Sequence, residues 1–316
     1  MRILIAYDGS EGADTGIDGL PRAGLPAEGV EGLVVSVAEV WFPPQPRDEV
    51  LDDTFPFQIP AGVKLAREHA ARRIEQAQEW AARGAERVRR VFPRWAVSHE
   101  ALSGSPAFEL LGRAGQWQPR LIVTGSHGYT ALGRFAMGSV SQKVLTESQT
   151  SVRVARRATG SGMSAERIVL GVDGSAGAQA AVRAVAVRDW TPGSEVRVVV
   201  ADDLLRATPV GHLIPQVSEF VDEVNETERT QAEDTASEAV KALRAVLGDK
   251  GVTVSSAVEA GAPKQVLVRH AEEFGADCIF TGATGCSNRV ERFILGSVSA
   301  AVAARAHCSV EVVRDA

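Results

Sequence analysis

The sequence predicts an α/β protein built as two tandem doubly wound parallel-sheet domains, and three observations carry that prediction. Short apolar runs alternate with amphipathic helical stretches along the chain. The segments of the first half return, in the same order, in the second. The 316 residues leave room for two domains of roughly 150 residues each.

In the first half the apolar runs fall at Ile3–Tyr7, Gly32–Val40, Ala96–Leu102, Leu121–Thr124 and Val152–Ala155. Continuous apolar runs bounded by turn residues suit strands covered on both faces, which is the condition of a parallel sheet. A long helix is predicted from Val63 to Phe92, with Ala66, Ala70, Ile74, Ala77, Ala81, Val88 and Val91 forming an apolar stripe. Arg67, Glu68, Arg72, Arg73 and Glu75 fall off that stripe and read as a solvated face. The matching helix of the second half carries Ala232, Ala236, Ala239, Leu243 and Val246. Strands alternating with helices imply right-handed crossovers, giving five strands and about four helices per half.

The internal repeat is explicit. Ile3 to Ser10 returns as Ile168 to Ser175, and Gly104-Ser105-Pro106 as Gly261-Ala262-Pro263. Leu121 to Gly125 returns as Cys278 to Gly282, Arg134 to Ser141 as Arg292 to Ser299, and Ser151 to Val154 as Ser309 to Val312. Matches at offsets of 157 to 165 residues make the repeat domain-sized, so the chain reads as a duplication, with domains at 1–158 and 166–316. The segment between them, from Ala158 to Glu166, is a short linker. Its Gly160, Gly162 and Ala165 mimic a dinucleotide-binding fingerprint, but they precede a strand where that fingerprint must follow one.

Composition excludes several classes. A net charge of −6 without a basic stripe argues against a nucleic-acid coat or a polybasic membrane anchor. Cys278, Cys286 and Cys308 form no C-x-x-C pair, and the six histidines show no metal-ligand spacing. No apolar run approaches the roughly 18–20 residues that span a bilayer. The opening Met1 to Ala6 is too short for a signal peptide. A cytoplasmic location is expected.

Ligands of open doubly wound sheets bind at the carboxyl ends of the strands, where the strand order reverses. Two segments at such ends stand out. Asp8 and Asp173 each open an Asp-Gly-Ser turn; the carboxylate can accept from a ribose or base, and the same turn is also ordinary helix-capping chemistry through Ser10. In the second segment Gly125 and Gly128 leave the fourth strand, and after nine residues Gly138, Ser139, Val140 and Ser141 open a helix. Unpaired N–H groups at a helix start favour an anion, glycine lets a phosphate approach, and Ser139 and Ser141 add hydroxyls. Arg134 adds a charge for a terminal phosphate. Gly282, Gly285, Gly296, Ser297, Val298 and Ser299 repeat the pattern. No Gly-Lys-Ser/Thr, no nucleophile elbow and no lysine in either glycine segment accompany it, so the site reads as a cradle without catalytic machinery.

These glycine segments, with the Asp-Gly-Ser opening, resemble the ATP-binding motif of universal stress proteins, once per half. The resemblance implies a flavodoxin- or Rossmann-like sheet of order 3-2-1-4-5, and paired domains joined by their last strands. It implies ATP, with Mg²⁺ as its usual companion, held by Asp8, Val37, Gly125, Gly128, Gly138, Ser139, Val140 and Ser141. In the second half Asp173, Val200, Gly282, Gly285, Gly296, Ser297, Val298 and Ser299 take those places. The second copy departs from the motif: ten residues, not nine, separate Gly285 from Gly296, and Glu291 stands where the first copy has Gly133. The first half is therefore expected to bind ATP well, the second weakly or differently. Cys286, at the start of that altered loop, is either an inert neighbour of its glycine or a redox-sensitive thiol. The Pro-rich, acidic stretch 41–60 is either a lid or a surface excursion. The expected function is ATP-dependent stress regulation through an unknown protein partner or a homodimer. A slow ATPase or transferase and a nucleotide-free interaction module are the alternatives.

Overall fold

The computed structural model describes residues 1–40, 61–126, 137–156, 165–202, 215–284 and 295–315. The predicted stretch 41–60 and most of the linker lie outside the described residues. The first half runs β1 (Arg2–Ala6), α1 (Glu11–Asp18), β2 (Glu31–Ala38), α2 (Ala61–Val91), β3 (Ala96–Ser103), α3 (Pro106–Trp117), β4 (Leu121–Gly125), α4 (Ser139–Glu147) and β5 (Ser151–Ala155). The second repeats it: β6 (Arg167–Gly171), α5 (Ala176–Ala186), β7 (Glu195–Asp202), α6 (Pro215–Leu247), β8 (Thr253–Ala260), α7 (Pro263–Phe274), β9 (Cys278–Gly282), α8 (Ser297–Arg305) and β10 (Ser309–Val313).

The halves form one ten-stranded sheet of order β3-β2-β1-β4-β5-β10-β9-β6-β7-β8. Each half has the order 3-2-1-4-5 with parallel pairing throughout, and β5 meets β10 antiparallel. Side chains alternate across these strands, and the two faces are filled differently. On one face Val152, Val154, Val310 and Val312 join Leu4, Ile122, Val169 and Ile279 in a single core that crosses from half to half beneath α3, α4, α7 and α8. On the other face the cores are separate. One gathers Ile3, Ile5 and Ile17 under α1 and α2, and the other Ile168, Leu170 and Phe280 under α5 and α6.

Two helical stripes differ from the sequence reading. Ala66 is exposed, and burial along α2 begins at Ala70. The 31-residue α2 is about 46 Å long, whereas the eight-residue β2 is about 27 Å, so its first turns overrun the sheet. In α6, Ala232, Ala236, Ala239 and Leu243 are buried as expected, whereas Val246 is exposed and Val240 and the fully buried Leu247 complete the stripe. Arg72, Arg73 and Glu75 are exposed, as a solvated face requires.

Candidate functional site at the carboxyl edges of the sheet

Each half has its strand-order reversal between β1 and β4, or between β6 and β9. Both reversals bring the same two segments together.

The Asp-Gly-Ser turns are built alike. The Ser10 hydroxyl accepts from the Ala13 N–H at 3.2 Å and caps α1, while it donates to Asp8 Oδ1 at 2.5 Å. Ser175 likewise caps α5 by accepting from the Ala178 N–H at 3.1 Å, and Asp173 Oδ1 accepts from the Ser175 N–H at 3.0 Å. The capping role leaves Asp8 and Asp173 exposed while their serines are buried. Gly9 and Gly174 adopt φ of +73° and +76°, the left-handed region that glycine enters without strain.

The second segment returns to the sheet through backbone bonds. Gly138 N–H donates to Ser126 O at 2.8 Å, and Gly296 N–H to Ala283 O at 2.7 Å. These glycines are the N-caps of α4 and α8, and neither helix has a side-chain cap, in contrast to α1 and α5. Among the described residues, no side chain caps the first-turn N–H groups of residues 139–141 and 297–299, the groups that carry the positive end of a helix dipole. Ser141 and Ser299 act differently from the sequence reading. Their hydroxyls donate to Gly125 O and Gly282 O, each at 2.6 Å, and so brace the helix start against the strand end. That leaves Ser139 and Ser297 as the outward hydroxyls of the pair.

In the second half these parts enclose a cavity of about 240 Å³, lined by Asp173, Ala201, Leu267, Gly282, Ser297 and Val298, among others. Val199 and Ala201 line it, and Val200 does not. The sequence assignment of Val200 is corrected here: the pairing of Arg167 with Glu195 and of Arg2 with Glu31 makes Ala201 the counterpart of Val37. A one-residue slip along a strand turns the side chain to the opposite face. Val200 is accordingly buried in the core under α5 and α6. In the first half Val37, Val140, Ala6, Leu102 and Met137 pack against the shared core as the counterpart floor. Gly128, Arg134, Gly285, Cys286 and Glu291 lie outside the described residues.

The sequence reading missed how the halves differ beside the Asp-Gly turn. A side chain at Gly9 would meet the Trp80 indole at 2.6 Å, whereas at Gly174 the neighbour is Thr235 at 3.8 Å. Arg83 donates to Gly9 O at 3.0 Å and to the Tyr7 hydroxyl, which donates to Asp14. Burial, then the bond to Asp14, holds the Tyr7 phenol above its usual pKa. Among the described residues no group of three or more His, Cys, Asp or Glu side chains is placed to hold a metal ion. No described helix is long and apolar enough to cross a membrane.

Fold and geometry together define a class: a duplicated doubly wound α/β protein with a glycine-opened cleft at the carboxyl edge of each half. The chain belongs to the universal stress protein family, whose profile matches residues 1–156 and again 164–314. A universal stress protein of Archaeoglobus fulgidus shares the fold over 99% of this chain and 98% of its own, with a TM-score of 0.63 and 19% identity. A functionally unknown protein of Pseudomonas aeruginosa covers 99% of this chain and 92% of its own, with a TM-score of 0.54 and 13% identity. Curated relatives named for universal stress proteins include one from Staphylococcus epidermidis, 42% identical over 81 residues, and one from Staphylococcus haemolyticus, 43% identical over 81 residues. Each match covers 25% of this chain and 48% of the relative, so the chain spans about half the length of the curated relatives it matches.

Proposed function

We propose that the protein is a stress-response regulator that binds ATP at the carboxyl edge of each half. The observation that carries this reading is the cavity at the β6–β9 reversal. It combines an exposed Asp173, apolar walls from Ala201 and Leu267, and the uncapped start of α8 within one small volume. An apolar slot suits a base, a carboxylate at the rim suits a ribose, and bare N–H groups suit phosphates. The residues fit such a ligand: an added Cβ at Gly296 would stand 3.1 Å from Ala283 O, a tight contact that glycine avoids at the start of α8. Mg²⁺ would arrive on the phosphates, screening their charge, and the chain supplies no ion cage of its own among the described residues. The chain's part is to orient and bind the nucleotide.

The two halves bind with different affinities in this reading, because Trp80 and Thr235 shape the Asp-Gly turns differently. The output is a shift in shape or in partner binding, with a second copy of the chain or another protein as the reader. Calorimetric titration of ATP with Mg²⁺ tests the proposal, using the parent, Gly138→Asp and Gly296→Asp. Each substitution is expected to abolish the heat of one site and leave the other. Equal affinities of the two remaining sites would remove the asymmetry, and absence of binding in the parent would leave an interaction module. Steady phosphate release that vanishes in Gly138→Asp would instead assign slow hydrolysis.

A further inference from the structure

The antiparallel junction of the halves has a pseudo-twofold axis, and one residue pair lies on it. Val152 pairs with Val312 and Val154 with Val310, which are equivalent pairs under the repeat; Arg153 pairs with Glu311, and these two are each other's counterparts. A residue on such an axis meets its own copy whenever a half pairs with an identical half. Here the two copies carry opposite charges.

The pair is deeply buried, with side chains 2% and 1% exposed, and Arg153 Nη1 lies 3.3 Å from Glu311 Oε2. Arg188, just past the end of α5, donates to the other oxygen of Glu311 and through Nη1 to Ala23 O at 2.9 Å. Buried ion pairs are poor sources of net stability, and apolar residues of similar volume often do as well or better. The opposite face of the same two strands shows that solution, with four valines. A neighbouring position is neutral in its recognition: Arg156 donates to Ala303 O, and its counterpart Arg314 donates to Leu145 O, so that contact serves like or unlike halves equally.

We propose that the Arg153–Glu311 pair is a recognition code by which each half selects the unlike half as its partner and rejects its own kind. First half against first half would bury Arg153 against Arg153. Second half against second half would bury Glu311 against Glu311, each left with the Arg188 of its own half and without an Arg153 across the axis. Like charges directly opposite in a sheet are repulsive, and out of water they have no screening. The β5 or β10 edge that a lone half would offer to any second copy is thereby reserved for one occupant, the other half of the chain.

The test uses the full chain in an Arg188→Gln background, which removes the third charge so that the pair is reversed alone. Arg153→Glu alone and Glu311→Arg alone are each expected to lower the thermal midpoint by roughly 5–10 °C. The double reversal is expected to regain most of that loss and to stay monomeric by light scattering. Arg153→Glu and Glu311→Arg chains unfolded together and refolded as a mixture are expected to give a 1:1 heterodimer, in which every carboxylate meets a guanidinium. This co-refolding reads the code even where neither single variant folds alone. Single reversals with an unchanged midpoint, a double reversal as damaged as the singles, or a mixture without heterodimer would each overturn the proposal.

Discussion

At the scale of single residues, close approach of backbone to backbone sets the tightest constraints. A Cβ added at Gly282 would lie 2.3 Å from the Gly177 carbonyl carbon, which no side-chain rearrangement can relieve. Gly282→Ala is expected to cost about 1–3 kcal/mol, read as a lower urea midpoint at unchanged slope. Gly112→Ala is the control, since its Cβ would meet nothing. Cys278 is a second such residue. Its thiol lies 3.1 Å from Arg153 Nη1, and burial pushes it up to about 11 despite that cation. The unfolded chain loses the proton near 9 and the folded chain does not, so stability falls as pH rises from 9 through 11. The loss is on the order of 2–3 kcal/mol, and thermal midpoints across that range should fall less steeply for Cys278→Ala than for the parent.

At the scale of elements, the strands were the most legible part of the sequence, because buried parallel strands are written as unbroken apolar runs. All five of the first half fall within two residues of their predicted ends. Helix faces were less legible, since periodicity cannot tell where a helix leaves the sheet, and Ala66 kept the period without a neighbour to bury it. Nor can a strand of consecutive valines reveal its own register, which is why the sequence points to Val200 where Ala201 lines the cavity. The glycine and Asp-Gly-Ser segments were legible because their chemistry is local. The roles of Trp80 and Arg188 were not, because they depend on contacts across 71 and 123 residues of chain respectively. The outer strands show another device invisible in sequence. Arg89 of α2 donates to Val97 O at 2.8 Å on β3, and Arg244 of α6 donates to Val254 O at 2.7 Å on β8. Each guanidinium occupies a carbonyl that an added strand would need. Arg89→Ala with Arg244→Ala is expected to raise the rate of aggregation on mild heating, followed by light scattering, with little change in midpoint.

At the scale of the whole molecule, the shared core binds the halves into one cooperative unit. Val152, Val154, Val310 and Val312 are each fully buried at the junction, and the packing beneath α4 and α8 has no boundary there. Arg22 adds a part-buried tie to Asp277 at 2.7 Å from half to half. A single calorimetric transition is therefore expected for the ligand-free chain, and two resolved transitions would show that each half stands on its own. Arg22→Ala should lower that one midpoint and leave its shape intact.

The junction also decides what can be read from outside. Because β5 and β10 run in opposite directions, the carboxyl ends of the first-half strands point one way along the sheet and those of the second half point the other. The two candidate edges therefore look out on opposite horizons. In the proposed reading, a rigid receptor docked over one of them senses one occupant and is blind to the other. A listener that must hear both has to arrive as two copies or reach around the whole sheet, and counting how many receptors a single chain captures tells these apart.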